Sequence, residues 1–365
     1  MSFYTNEGSS VAAQIANSGG QITLPVTSRS GYTFEGWYTG LYSGTRVGDV
    51  GASYTVTEDT TLYAHWTLGT GGDDDWTPVS DAKFSFSTIW GIAYGGGRFV
   101  MAGGSTKAAY STDGTSWTGV NPMGSSIYQY TYYGVTYGSG KFVAVTDSGR
   151  ISYSTNGTSW THVAPADTKF GSSDIYGIAF GNEKFIAVGE SGKIAYSPNG
   201  WDWTLTSASN LTSSILGIAY GNNKFVAVGS DGKAAYSSDG GINWNAVTNN
   251  IIGLNSINGI SYGNNKFVVV GQTGKIAYSS DCINWTMVSN TTFGLSDHIN
   301  AISYGDGKFV AVGDNGKAAY SSDGITWTAV NGWGHGVDNI YCIAYGGGKF
   351  VAAGTGGNAS YWITP

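Results

Sequence analysis

A serine, a carboxylate or its amide, a glycine and a tryptophan recur along this chain at nearly constant spacing. The segments are AYSTDGTSW (109–117), SYSTNGTSW (152–160), AYSPNGWDW (195–203), AYSSDGGINW (235–244), AYSSDCINW (277–285) and AYSSDGITW (319–327). A serine beside an aspartate is raw material for nucleophilic or acid–base chemistry. Yet the acidic position is filled by Asp113, Asn156, Asn199, Asp239, Asp281 and Asp323. An amide cannot serve as a general base, whereas its oxygen accepts backbone N–H bonds as a carboxylate does. Glycine at the next position supplies a positive φ, and the tryptophan anchors packing between neighbouring units. The element reads as a building joint, not a catalytic centre.

Other chemistry is sparse. Within 76–365 the arginines are Arg98 and Arg150, and the glutamates Glu183 and Glu190 each sit in a turn of the repeat. A glycosidase of the ordinary kind needs two facing carboxylates. Asp174, Asp297 and Asp338, just before first strands of their units, are the candidates for such a pair. His65, His162, His298 and His335 are scattered without metal-ligand spacing, and the DDD run at 73–75 reads as solvated charge in a Gly-rich linker. YGGGRF (94–99) and YGGGKF (345–350) occupy a hairpin that other units write as YGNNKF, so they are turns and not phosphate loops. Cys282 and Cys342 fall at different repeat positions and are expected to be unbridged. We expect no enzyme activity, no cofactor and no metal.

The elements that must position these residues follow from composition and period. Charged residues make up 11% of the chain against 58 glycines, 25 tyrosines and 13 tryptophans, a mixture suited to short strands and tight turns. A net charge of −7 without a basic patch argues against nucleic acid. No apolar run approaches the ~18 residues that cross a bilayer, so no membrane insertion is expected. The opening MSFYTNEGSS lacks the charged and apolar regions of a signal peptide.

The unit INAISYGDGKFVAVGDNGKAAYSSDGITWTAV (299–330) holds four β-rich runs separated by turn signals. First strands begin at Ile89, Tyr132, Ile175, Ile215, Ile257, Ile299 and Ile340, a spacing of about 42 residues, as expected for propeller blades. The seventh unit ends at GGNASYWITP without its W-T-x-V run, and DWTPV (75–79) at the other end of the array supplies a match. The expectation is an all-β fold: a seven-bladed β-propeller of four-stranded blades over 76–365, closed by residues 76–79. Closure removes the edge an open array would expose.

The S-x-[D/N]-G-x-x-W segments, lying between third and fourth strands, resemble the Asp-box (BNR) repeat of sialidase-like propellers. That resemblance implies boxes on the face away from the ligand site. It does not imply sialidase activity, since the family holds a carboxylate with three arginines. At the N-terminus, GYTFEGWYTG (31–40) and VTEDTTLYAHW (56–66), with SFYTNEGSS at the start and ITLP at 22–25, resemble the Listeria–Bacteroides repeat of the internalin B-repeat type. This implies a small β-rich, β-grasp-like module over 1–67, joined by a Gly/Asp linker at 68–75. Tyr32, Phe34 and Trp37 are expected in its core, with Tyr63 and Trp66 on its last strand. Such modules accompany bacterial surface proteins, so the chain is expected outside the cell or on its surface, as a piece of a longer protein.

Positions identical in every unit belong to architecture, and a single site should appear where units differ. The cation after the second hairpin (Lys107, Arg150, Lys193, Lys233, Lys275, Lys317) fails that test and reads as a solvated strand end rather than an anion-binding ring. The second residue of the first strand passes it, being Trp90, Tyr133, Tyr176, Leu216, Asn258, Asn300 and Tyr341 in order. Its aromatic members belong to units adjacent in a closed ring. The segments entering units two and three are the longest; the first holds SSIYQYTYY (125–133), and NGWGHG (331–336) precedes unit seven. The candidate ligand-binding residues are therefore Trp90, Tyr128, Tyr130, Tyr133, Asp174, Tyr176, Trp333 and Tyr341. Tyr128, Tyr130 and Trp333 are expected to be the more exposed. Flat aromatic faces beside amides and carboxylates suit a sugar ring. The expected partner is a glycan or glycoprotein, bound by a monomer without catalysis. The alternatives are an adhesin or scaffold that binds a host or cell-surface protein, and a glycan-degrading hydrolase.

Overall fold

Runs of β-branched and aromatic residues cut by Gly, Asn and Asp favour short strands and tight turns, and that is what the chain forms. The computed structural model describes residues 1–6, 11–25, 27, 32–41, 43–68, 75–120, 129–206, 211–248 and 251–363. Among them the only α-helix is the single turn Pro165–Thr168. They divide into two compact units, Met1–Thr77 with Asn331–Gly334, and Pro78–Val330 with His335–Pro365.

The smaller unit holds a mixed sheet in the order Ser2–Tyr4, Thr61–Leu68, Tyr32–Tyr38, Arg46–Gly48, with the first pair parallel. A two-stranded sheet, Gln21–Thr23 with Ser53–Thr55, accompanies it. Its core is Leu24, Trp37, Leu62 and Ala64, with Phe34 and Trp66 half-buried against them. The Trp37 and Trp66 indoles donate to the Pro25 and Thr5 carbonyls at 3.1 and 3.0 Å. Trp37 is in the core with Phe34 packed against it, as expected, and Trp66 is on the last strand; the side chain of Tyr32 lies outside the described residues.

The larger unit is a succession of seven four-stranded sheets. Their first strands are Ile89–Gly95, Tyr132–Gly138, Ile175–Gly181, Ile215–Gly221, Ile257–Gly263, Ile299–Gly305 and Ile340–Gly346. The sixth sheet is typical: Ile299–Gly305, Lys308–Gly313, Ala318–Ser321 and Thr328–Val330 form an antiparallel meander. Every residue of its second strand after the lysine is buried, because the sheet is covered on both faces. The seventh sheet takes its fourth strand from Thr77–Pro78, and the Val79 N–H donates to the Ala359 carbonyl at 2.8 Å.

Two further contacts close the ring. Each first strand ends on glycine, and a Cβ there would lie 2.0–2.1 Å from an aromatic ring of the next sheet. Gly95 faces Tyr137 in this way, Gly305 faces Tyr345, and Gly346 of the last sheet faces Tyr94 of the first. Similarly, Lys266 Nζ donates to the Asp323 carbonyl one sheet on at 3.1 Å, while Lys349 Nζ returns to the Asp113 carbonyl at 2.7 Å.

The repeated Ser-x-Asp/Asn-Gly segment is a hydrogen-bonded turn. In the sixth sheet Ser321 Oγ donates to Asp323 Oδ1 (2.9 Å) and accepts from the Gly324 N–H (2.8 Å); Oδ1 also accepts from Ile325 and Thr326 (2.8 and 2.7 Å). Asn156 reproduces the pattern with Ser154, Gly157, Thr158 and Ser159 at 2.8–3.0 Å. What the turn uses is an acceptor oxygen. The tryptophans that follow pack between sheets: Trp327 lies among Val268 and Val270 of the fifth sheet and Phe309 of its own. Hence Asp323→Asn should lower the melting temperature less than Asp323→Ala, which should cost about 1 kcal/mol, as loss of a side-chain cap does. Equal losses from both variants would refute the joint.

Protonation tests the same turns. Burial raises the Asp323 pKa, but hydrogen bonds from the Thr326 and Ile325 amides outweigh it and hold the group at about 2 against the usual 3.8. Asp239 is also held at about 2: burial raises its pKa, and hydrogen bonds from Asn243 outweigh it. Asp113 and Asp281 are lowered chiefly by backbone N–H groups. A lowered folded pKa contributes stability above the unfolded value, and that stability is lost as pH falls through the folded one. Melting temperature should therefore be flat from neutrality to about pH 4 and fall between about pH 4 and pH 2. A decline beginning well above pH 5 would point to other groups.

Candidate functional site

The site is built by a backbone irregularity repeated seven times. In every sheet the pairing of first and second strands shifts register between the first and third residues of the first strand, as between Ile175 and Gly177. The second residue is thus an unpaired bulge, and a bulge re-aims its side chain. The seven side chains so released, Trp90, Tyr133, Tyr176, Leu216, Asn258, Asn300 and Tyr341, line one cavity of about 440 Å³ together with Gln272 and His298. Below it the passage narrows to about 180 Å³, where the third residue of the strand is glycine in five sheets and Ala301 or Cys342 in the others. Isoleucines such as Ile92, Ile178 and Ile260 line that level.

The cavity has two unlike halves. Four rings form a continuous arc: Trp90 stacks on Tyr341 (centroids 4.3 Å, 29°), Tyr133 lies edge-on to Trp90 (6.0 Å, 74°), and Tyr176 is tilted on Tyr133 (5.5 Å, 52°). Opposite are the amides Asn258, Asn300 and Gln272 and the imidazole of His298. The Asn258 and Asn300 amides donate to the first-strand carbonyls of Ile299 and Ile340 in the next sheet (3.0 and 3.1 Å), which fixes their direction. The polar half was not singled out from the sequence. Its signal was present, since Asn258 and Asn300 occupy the same variable position as the aromatics.

The remaining predicted residues divide. Asp174 accepts from the Ser148 N–H across a sheet boundary at 2.9 Å. Tyr130 does not line the cavity; the Arg150 guanidinium lies 4.5 Å from its ring centroid. Trp333 is a correction. Its place in a connection predicts exposure, but it is only 3% exposed and packs edge-on against Trp76 at 5.8 Å. Tyr128 lies outside the described residues.

Burial raises the pKa of Tyr133, with the charges of Asp174 and Asp147 adding to it. Tyr176 is raised by burial and then by Asp174 and Glu190. The carboxylates weighed for hydrolysis are engaged in the architecture. Asp297 is buried and bonded to Lys317 Nζ (2.7 Å) and the Gly294 N–H (2.6 Å), and Asp338 accepts from Asn358 (2.7 Å). Three of the cations after the second hairpin are tethers rather than solvated ends. Lys107, Lys193 and Lys275 donate to the Phe84, Phe170 and Ile252 carbonyls of the segments entering their own sheets, at 2.6–3.1 Å. Both cysteines are free and buried, and among the described residues no cluster could hold a metal ion.

Residues 1–65 match the family model of the Listeria-Bacteroides repeat domain. No curated protein matches the chain. Among solved structures, YCF48 bound to a D1 peptide aligns with a TM-score of 0.65 at 17% identity, over 81% of this chain and 97% of that one. A catalytically inactive variant of virginiamycin B lyase from Staphylococcus aureus, with quinupristin, aligns at 0.66 and 14%, over 79% and 98%. At such identities the likeness concerns the fold. Over residues 1–65 the chain is similar to the Listeria-Bacteroides repeat domain, and over most of the remainder it has the fold of a β-propeller.

Proposed function

We propose that this is a non-catalytic binding module of a bacterial surface or secreted protein, a seven-bladed Asp-box propeller that takes a glycan or glycoprotein into its mouth. One observation carries the reading: four contiguous aromatic rings face three amides across a cavity of about 440 Å³. A pyranose offers the complement, an apolar face for stacking and hydroxyls for amides. The absence of catalysis is supported by Asp297 and Asp338, each engaged in structural bonds. Placement outside the cell rests on the N-terminal repeat domain, a companion of surface proteins.

A glycan array probed with the full chain and with its Trp90→Ala, Tyr176→Ala variant tests this. The expected result is binding to one sugar class, weakened about fivefold or more in the variant, since each lost stacking partner is worth about 0.5–1.5 kcal/mol. No binding by a folded chain favours a protein partner instead. That second reading has its own support in the exposed apolar side chains Trp201, Ile242, Ile283 and Ile325, at one turn position in four consecutive sheets, and in the peptide ligand of the YCF48 structure.

A further inference from the structure

Charge around the mouth is as lopsided as its aromatic content. Two positions flank the mouth in each sheet, the residue before the first strand and the first residue after the second. Both have an architectural task that needs only an acceptor atom. The first accepts an N–H from the preceding sheet: Asp174 does so from Ser148 (2.9 Å), His298 Nδ1 from Thr273 (3.3 Å) and Asn339 Oδ1 from Asn315 (3.0 Å). The second accepts the N–H that opens its own sheet: Asp147 from Thr131 (3.1 Å), Gln272 from Ser256 (3.3 Å) and Asp314 from His298 (3.2 Å). Amides and an imidazole do this work elsewhere, so a negative charge is surplus to it.

All of that surplus but Asp314, which is bonded to Asn300 on the opposite side, collects beside the aromatic arc. The second and third sheets place Asp147, Asp174 and Glu190 at these positions, where the fourth and fifth have Ser214, Ser230, Ser256 and Gln272. Burial raises the pKa of both rings, and the charges of Asp174 and Asp147 add to it at Tyr133, those of Asp174 and Glu190 at Tyr176. Asp147 Oδ1 is buried with no hydrogen-bond partner. One cation, Arg150, acts on Asp147. Lys193 is drawn off to the Phe170 carbonyl and Ser173 Oγ at 2.9 and 2.8 Å. Among the described residues no lysine or arginine lines the cavity, and Asp147, Asp174 and Glu190 stand beside its lining rather than in it.

We propose that the mouth selects a positively charged saccharide, with the ammonium of an amino sugar held between the Trp90–Tyr133–Tyr176 arc and Asp174, and that it rejects acidic sugars. An ammonium over aromatic faces is attracted by the ring quadrupoles, and a nearby carboxylate adds to that attraction. The proposal rests on the glycan reading and specifies its ligand class.

The test is calorimetric titration of the full chain, in mildly acidic low-salt buffer, with three oligosaccharides of equal length: glucosamine, N-acetylglucosamine and galacturonic acid. The glucosamine oligomer should bind about tenfold more tightly than its N-acetylated counterpart, and the acid should not bind. Asp174→Asn should lower that preference at least threefold. It should leave the melting temperature unchanged, because Asn339 already performs the joint's task with an amide. Equal or tighter binding of the neutral or acidic oligomer, or a preference that survives Asp174→Asn, would overturn the charge selection and leave the glycan reading standing. If none of the three binds, both fall.

Discussion

Gly346→Ala should lower stability by roughly 3 kcal/mol, the upper end of what one buried methyl costs in a packed core. Its Cβ would lie 2.0 Å from Tyr94 Cγ, and Tyr94 is itself held against Phe99 with centroids 4.7 Å apart, so the ring has nowhere to retreat. Gly348→Ala is the control. With φ at +78° and nothing within 4 Å of its Cβ, it should cost only the backbone strain of a left-handed residue, about 1–2 kcal/mol. The decisive form is a double-mutant cycle, since Tyr94→Ala removes the atoms that clash. Gly346→Ala and Tyr94→Ala should therefore be strongly non-additive, whereas sites without shared contacts add within about 0.5 kcal/mol. Additivity measured by chemical denaturation would mean that the first and last sheets do not touch.

Deleting residues 76–79 should be nearly as severe as unfolding the larger unit. Val79 is 6% exposed, and burying such a side chain contributes about 1.5–3 kcal/mol. The net stability of a domain is only about 5–15 kcal/mol. The deletion also strips the third strand of the last sheet, Ala359–Trp362, of its outer partner and leaves an open edge. Removing 71–74, in the Gly/Asp linker, should change the melting temperature little. Comparable losses from the two deletions would show that the closing strand contributes nothing.

The architecture was legible in the sequence because it is repeated. Seven near-copies of one unit, with the missing run found at the other end, define sheets, order and closure without any three-dimensional information. The candidate mouth was legible for the complementary reason, that one strand position varies while its neighbours do not. The bulge that turns this position into the cavity was not legible, since a register shift leaves no residue signature of its own when Trp, Tyr, Leu and Asn all occupy it. Nor was the joint made by Asp174, because His298 and Asn339 perform the same task and three chemistries do not look like a repeat. Trp333 misled for a third reason: a connection predicts exposure only on average, and burial against Trp76 depends on a partner more than 250 residues away in sequence.

Ligand binding at the aromatic arc is the central claim, and the indole N–H resonance of Trp90 reports on it most directly. In the full chain labelled with ¹⁵N-tryptophan, with that resonance assigned through Trp90→Phe, neutral, amino and acidic oligosaccharides would be titrated in turn. A saturable shift of the Trp90 resonance is expected with one sugar class, while the buried Trp37 of the N-terminal unit stays fixed. Saturable shifts confined to other indoles, or none with any sugar, would contradict it.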